Sequence, residues 1–187
     1  IGLYVNTPDA IIDSNTFTAN KGEAIFSVDR IATFTNNSGS GNNKDAISVY
    51  GGWNGFITVD NATTTIKANS LPYFLNGAVQ VSASSTLIIE KGVVIKGAIL
   101  SYPNLKSSLG VAGNLIVSGE SPDDVIFTSE TPVKGSWEGI VLHPGSFSSI
   151  KGATISYAEI GAQYQESPIY LENVKFEYNE FGVLADS

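Results

Sequence analysis

The chain of 187 residues has no cysteine, no methionine and a single histidine, His143. Without cysteine it can form no disulfide and no thiolate metal site. One histidine cannot build a multi-histidine metal centre. Positive charge is also scarce: ten Lys and Arg against eighteen Asp and Glu give a net charge of −8. That balance excludes nucleic acid as a partner and disfavours anionic membrane surfaces. No apolar run approaches the ~18 residues needed to span a bilayer, so no membrane insertion is expected. Nor does any stretch carry a 3.6-residue apolar period over ten or more residues, which argues against helices. There is no visible leader, and Ile1 and Ser187 both fall inside repeat-like stretches. The expectation is one domain, 1–187, forming a segment of a longer or processed protein.

What the chain does have is repetition. Leu3, Ile25 and Ile47 recur at equal intervals, each preceded by a small residue: Gly2, Ala24 and Ala46. A second motif, Phe-x-x-Asn, occurs as Phe17/Asn20, Phe34/Asn37 and Phe176/Asn179. The segment Ile12 to Asn20 aligns without a gap on Leu171 to Asn179. An apolar pair follows both at the same offset, Ala24-Ile25 and Val183-Leu184. The unit is made of three- to five-residue apolar runs separated by Asn, Gly, Ser, Asp and Pro, and it lacks the leucine density of leucine-rich repeats. A coil of short strands, each coil pairing with the next about 4.8 Å away, satisfies it. Asn20, Asn37 and Asn179 are then expected at the same corner of each coil, bonding to the neighbouring coil so that the bend leaves no polar group unpaired.

The stretch Leu87 to Gly97 fits the same reading. Two apolar runs, Leu87–Ile89 and Val93–Ile95, flank Glu90-Lys91-Gly92. A two-residue hairpin would call for Asn-Gly or Asp-Gly, and neither is present. It reads as a corner in a winding chain. The segment Ser101 to Gly110 reads as a loop that leaves the coil.

Three segments resemble the right-handed parallel β-helix repeat proteins of the pectate-lyase-like superfamily, above all its bacterial surface and secreted members. They are Leu87 to Lys96, Asp124 to Ser129 and Gly135 to Leu142. The resemblance implies an all-β, right-handed parallel β-helix (a β-solenoid), and the repeat period gives it roughly eight coils of about 22 residues. A loop excursion is expected near 100–110. The resemblance also implies an extracellular or cell-surface location. It does not fix a function, because this scaffold serves lyases, hydrolases, adhesins and inert stalks. Two positions depart from the pattern. Ile88 stands where such sequences carry a polar residue, commonly threonine, and Glu138 replaces a common glycine. An outward Ile88 calls for cover, from the 102–109 loop or from another chain.

Chemistry-bearing residues are sparse. Asp123-Asp124, after Ser121-Pro122, is the only adjacent carboxylate pair and a candidate Ca²⁺ or acid/base pair, but in this context it reads first as a turn cap. Glu166, Glu172, Glu177 and Glu180 read as a solvated acidic face. Arg30 beside Asp29 reads as a turn, and His143, before Pro144-Gly145, as a strand end. Trp53, Tyr102 and Trp137 are candidates for stacking on sugars, with Trp137 also expected to pack at a corner. No cofactor is implied beyond a possible Ca²⁺. The sequence favours a non-catalytic structural or adhesive segment that self-associates through its ends or continues into further coils. The alternative is a polysaccharide lyase, hydrolase or carbohydrate-binding domain using an outer groove.

Overall fold

The structure, a computed structural model, describes residues 1–28, 31–50, 56–59, 63–100 and 105–186. All regular structure among them is strand, in pieces of three to ten residues. No helix is present among the described residues, and so none long and apolar enough to cross a membrane.

None of the described strands pairs with its neighbour in sequence; each pairs in parallel with the strand one coil earlier or one coil later. The Leu87 to Gly97 stretch shows the rule. Strand Thr86–Glu90 lies between Thr63–Ile66 and Asn114–Ser118. Strand Val94–Gly97 lies between Tyr73–Asn76 and Val125–Ser129. The chain bends between the two at Lys91-Gly92, where Gly92 has φ 87°. The stretch is therefore a corner of a right-handed parallel β-helix.

Three sheets form the sides. The first runs through Leu3–Val5, Glu23–Val28, Lys44–Tyr50, Tyr73–Asn76, Val94–Gly97 and Val125–Ser129. The second contains Thr63–Ile66, Thr86–Glu90 and Asn114–Ser118. The long bent strands Phe147–Ser156 and Ile169–Glu177 belong to both, because their first halves continue the second sheet and their second halves the first. The third sheet contains Phe56–Val59, Ala78–Val81, Ser108–Val111, Trp137–Leu142, Ala158–Gln165 and Phe181–Asp186. The earliest coils carry shorter pairs instead, Ile11–Asp13 with Thr33–Thr35 and Thr16–Thr18 with Ser38–Ser40.

The core follows from register. Leu3, Ile25, Ile47, Tyr73, Ile95, Phe127, Ile155 and Phe176 stack in one inward row. From Ile25 to Ile155 none is more than 2 % exposed. Each such side chain contributes about 1.5–3 kcal/mol relative to an exposed one. The row also shows where an even period fails. Its first two steps, Leu3 to Ile25 and Ile25 to Ile47, are equal, but the step from Ile47 to Tyr73 is longer and that from Ile95 to Phe127 longer still. The longest step carries the excursion, whose described part closes on an antiparallel bridge between Ile99 and Lys106.

The Phe-x-x-Asn motif is a corner device. The Asn37 side chain accepts the Asn15 N–H at 3.1 Å and donates to the Ile12 carbonyl at 2.8 Å. Asn42 does the same with Asn20 and Phe17, Asn69 with Asn37 and Phe34, and Asn179 with Ala158 and Ile155. Each amide satisfies one N–H and the carbonyl three positions before it in the preceding coil. Ser14, Ala19, Asn36, Gly41 and Tyr178, each immediately before an asparagine, take φ between 54° and 68°. The motif thus encodes the last two residues of a strand, a left-handed residue and an amide clamp. It recurs at different corners: Ile12 pairs with Phe34, whereas Phe17 pairs with Gly39. Asn20 and Asn37 therefore belong to separate ladders, and the two ends of the chain share a corner device, not a place in the coil.

Candidate functional site on the outer face of the first sheet

Because successive strand residues point to opposite faces, the inward row fixes an outward one: Tyr4, Phe26, Ser48, Phe74 and Lys96. The Tyr4 and Phe26 rings stack at 6.0 Å, and Phe26 stacks on Tyr50 at 5.7 Å. Tyr4 is 56 % exposed. Ser48, between Phe26 and Phe74, is buried, and its Oγ has no hydrogen-bond partner.

Beyond Ser48 the face becomes charged. Lys44 Nζ stands 3.3 Å from the centre of the Phe74 ring and 2.9 Å from Glu130 Oε1. Together with Lys96, Asp45 and Pro72 these side chains line a cleft of about 250 Å³. Asp45 is committed to the loop beside it. It accepts from the Asn42 side chain and from the N–H groups of Asn42 and Gly41, and these bonds, the side-chain one first, hold its carboxyl below the usual range. An aromatic run, two ammonium groups and a carboxylate can hold an amphipathic or polyhydroxyl ligand by ring contact and hydrogen bonds.

Other positions singled out in the sequence lie elsewhere. Trp53, Tyr102, Arg30 and Asp29 are outside the described residues. Trp137 is fully buried, and its indole N–H donates to the Ser156 carbonyl at 2.9 Å. Its Cβ lies 2.5 Å from where a side chain on Gly97 would begin, so Gly97 gives it room. The indole is closed to sugars and acts as a corner core residue. Asp124 caps its turn through one oxygen, which accepts the N–H groups of Glu120 and Ser121 and pairs with Lys91. Those N–H bonds, with Lys91 after them, hold its carboxyl below the ordinary value. Asp123, beside it, is exposed. His143 is an exposed turn residue whose carbonyl accepts the Ser167 hydroxyl. Among the described residues no three His, Asp or Glu side chains gather where they could hold a metal ion.

Ile88 is on the outer face of the second sheet, between Thr65 and Ile116 in register, and is half-buried. The described part of the excursion is instead tied to the third sheet, where Lys106 Nζ meets Glu159 at 2.6 Å.

The cleft residues were not visible as a group in the sequence, because Lys44, Phe74, Lys96 and Glu130 are separated by changing coil lengths. The aromatic row was closer to hand. Tyr4 and Phe26 each follow a member of the Leu3/Ile25/Ile47 series, and extending that alignment by one column finds them.

A family model described as a pectate-lyase like β-helix domain matches residues 55–165, more than half of the chain. No curated protein and no solved structure matches it. The matched span carries most of the third sheet, the second sheet's three short strands and the corner at Trp137, and on that match, with parallel coils throughout, the chain belongs to the pectate-lyase-like β-helix family.

Proposed function

We propose that this chain is an adhesive β-helical segment of a secreted or cell-surface protein, and that the outer face of its first sheet is the contact surface. The observation that carries this reading is the stacked row Tyr4, Phe26 and Tyr50. A row of aromatic rings turned to solvent on an otherwise acidic chain is costly unless something covers it in use. Further coils, of this chain or of a copy stacked end to end, would pair with the outer edges of Leu3–Val5 and Phe181–Asp186. A second reading, a polysaccharide-active or carbohydrate-binding domain, rests on the cleft beside the row, where Lys44, Lys96 and Glu130 surround Phe74. A loosely held surface Ca²⁺ near Asp123 belongs to that reading.

The experiment is retention on immobilised polysaccharides and on cell-wall material, comparing the parent chain with Tyr4→Ala/Phe26→Ala. At least a tenfold loss of retention by the double variant, with an unchanged melting curve, supports the adhesive reading. Equal retention by both removes it. Turnover of uronic-acid polymers, measured with and without Ca²⁺, would move the assignment to the second reading.

A further inference from the structure

The second sheet presents a different outer face. Its central row is Thr65, Ile88, Ile116, Ser149 and Tyr170, one residue from each coil in register. Beside it runs Thr86, Asn114 and Phe147. Phe147 is 47 % and Tyr170 54 % exposed. On the other side lies a charged row: Glu90, Ser118, Lys151 and Glu172 in register, preceded by Lys67, which follows Ile66, the partner of Ile89.

The signs along that charged row are plus, minus, neutral, plus, minus. Read backwards they are minus, plus, neutral, minus, plus, so the row is complementary to its own reversal about Ser118. A two-fold axis parallel to the strands, passing over Asn114–Ser118, performs that reversal when two copies pack face to face with coil order opposed. It sets Glu90 against the second copy's Lys151 and Lys67 against its Glu172, each pair occurring twice, as an isologous interface requires. The same operation sets large groups against small ones: Tyr170 over Thr65, Ile88 over Ser149 and Phe147 over Thr86. Ile116 meets its own copy at the axis.

We infer that this face docks a second copy of the chain in a closed, antiparallel dimer, and that Ile88 is apolar because it is covered there. The inference stands apart from the adhesive reading, which uses the first sheet, and from end stacking, which gives open fibres where this contact closes at two. Five strands and five residue rows span roughly 24 by 16 Å, well under the ~800 Å² per partner of a standard interface. An interface of that size lies at the weak, transient end of the range. Within each copy Lys151 already pairs with Glu172 at 3.1 Å, so the charges select the register more than they add affinity.

Sedimentation equilibrium over a concentration series tests it. The parent chain should show a monomer–dimer equilibrium that weakens with salt. Glu90→Lys, which opposes Lys151 of the second copy, should weaken the dimer at least tenfold, and Glu90→Lys/Lys151→Glu should restore most of that loss. Circular dichroism and melting curves check that each variant folds. Because the chain lacks cysteine, Ser118→Cys places one thiol at the axis, where a short bismaleimide should join two copies. Val133→Cys, an exposed site away from the face, should not cross-link. Monomer at every concentration overturns the inference and leaves the face to another partner; so does a double variant no better than the single one, or equal cross-linking at both cysteines.

Discussion

The first coils and the region from Thr86 to Leu142 solve one problem in two ways. Each must turn a corner without stranding backbone N–H and carbonyl groups in the interior. The early coils use a side-chain amide at a fixed place. Asn15, Asn37 and Asn69 form one ladder and Asn20 with Asn42 another, and the amides of Asn37, Asn69 and Asn42 each clamp the coil before them. The pairs Asn15/Asn37 and Asn20/Asn42 are both 22 residues apart, but Asn37 and Asn69 of the same ladder are 32 apart, so the clamp fixes the geometry of the corner and not the length of chain between clamps. The central region turns at Lys91-Gly92, at Ala112-Gly113 and through the Ser121–Asp124 cap, each satisfied within its own loop or by backbone. Neither kind of corner imposes a length on the next coil. Gly97 and its register partner Ser129 are 32 residues apart, and Thr128 and Ser156, which meet side chain to side chain across the next step, are 28 residues apart. There the core is held by large side chains, with Trp137 seated against Gly97.

The largest test of this contrast is in the central region. Trp137→Ala removes a fully buried indole and its bond to the Ser156 carbonyl. It should cost about 3–5 kcal/mol in urea unfolding, and a loss under about 1 kcal/mol would mean that the central corner does not depend on packing. Asn37→Ala should cost less, about 1–3 kcal/mol, because it leaves the Asn15 N–H and the Ile12 carbonyl unpaired without opening a large cavity. Hydrogen exchange should accelerate at the Asn15 amide first. Uniform acceleration along the chain would show that the ladder is not a local clamp.

The same contrast explains what could be read from the sequence. At the amino-terminal end the period was legible because the first coils are equal in length, so that Leu3, Ile25 and Ile47 fall in one row at even spacing. The corner at Leu87 to Gly97 was legible for another reason: its two apolar runs lacked a hairpin turn. The equivalence of Asn20 and Asn37 was misleading, since one local device serves two corners of the same coil and sequence shows the device without its place. The outer cleft stayed hidden because Lys44, Phe74, Lys96 and Glu130 meet only once the irregular coil lengths are known. For Trp137 the sequence left two readings, a sugar platform and a corner residue, and the packing of Gly97 and Ser156 around it decides for the corner.

A smaller effect separates strain from hydrogen bonding at the amide corners. Ala19 and Gly41 occupy stacked left-handed positions, with φ 54° and 68°, one before Asn20 and one before Asn42. An L-residue there costs about 1–2 kcal/mol, partly offset by glycine's larger loss of unfolded-state freedom of about 0.5–1 kcal/mol. Ala19→Gly should therefore stabilise by about 0.5–1 kcal/mol. Gly41→Ala should destabilise by a similar amount, since a Cβ there meets nothing within 4 Å and the cost is conformational alone. Opposite signs at the two sites are the expected result; the same sign at both would place the effect in packing.

The smallest effect belongs to the central region's capped turn and is read from pH. The Asp124 carboxyl is held below its ordinary value of 3.8 by the N–H groups of Glu120 and Ser121, with Lys91 adding to them. A depressed carboxyl pKa stabilises the fold above the unfolded-state value and loses that contribution as pH falls through the folded one. The melting temperature of the parent chain should be level near neutrality and fall below about pH 4. Asp45 and Glu172 are depressed as well and contribute to the same decline. The difference between the parent and Asp124→Asn isolates the turn. It should be constant above about pH 5 and shrink towards zero as Asp124 becomes protonated, because a neutral acid and an amide both lack the charge that the two N–H groups and Lys91 favour. A difference that persists unchanged into acid would mean that the turn is held by shape alone, and the central corners would then owe nothing to charge.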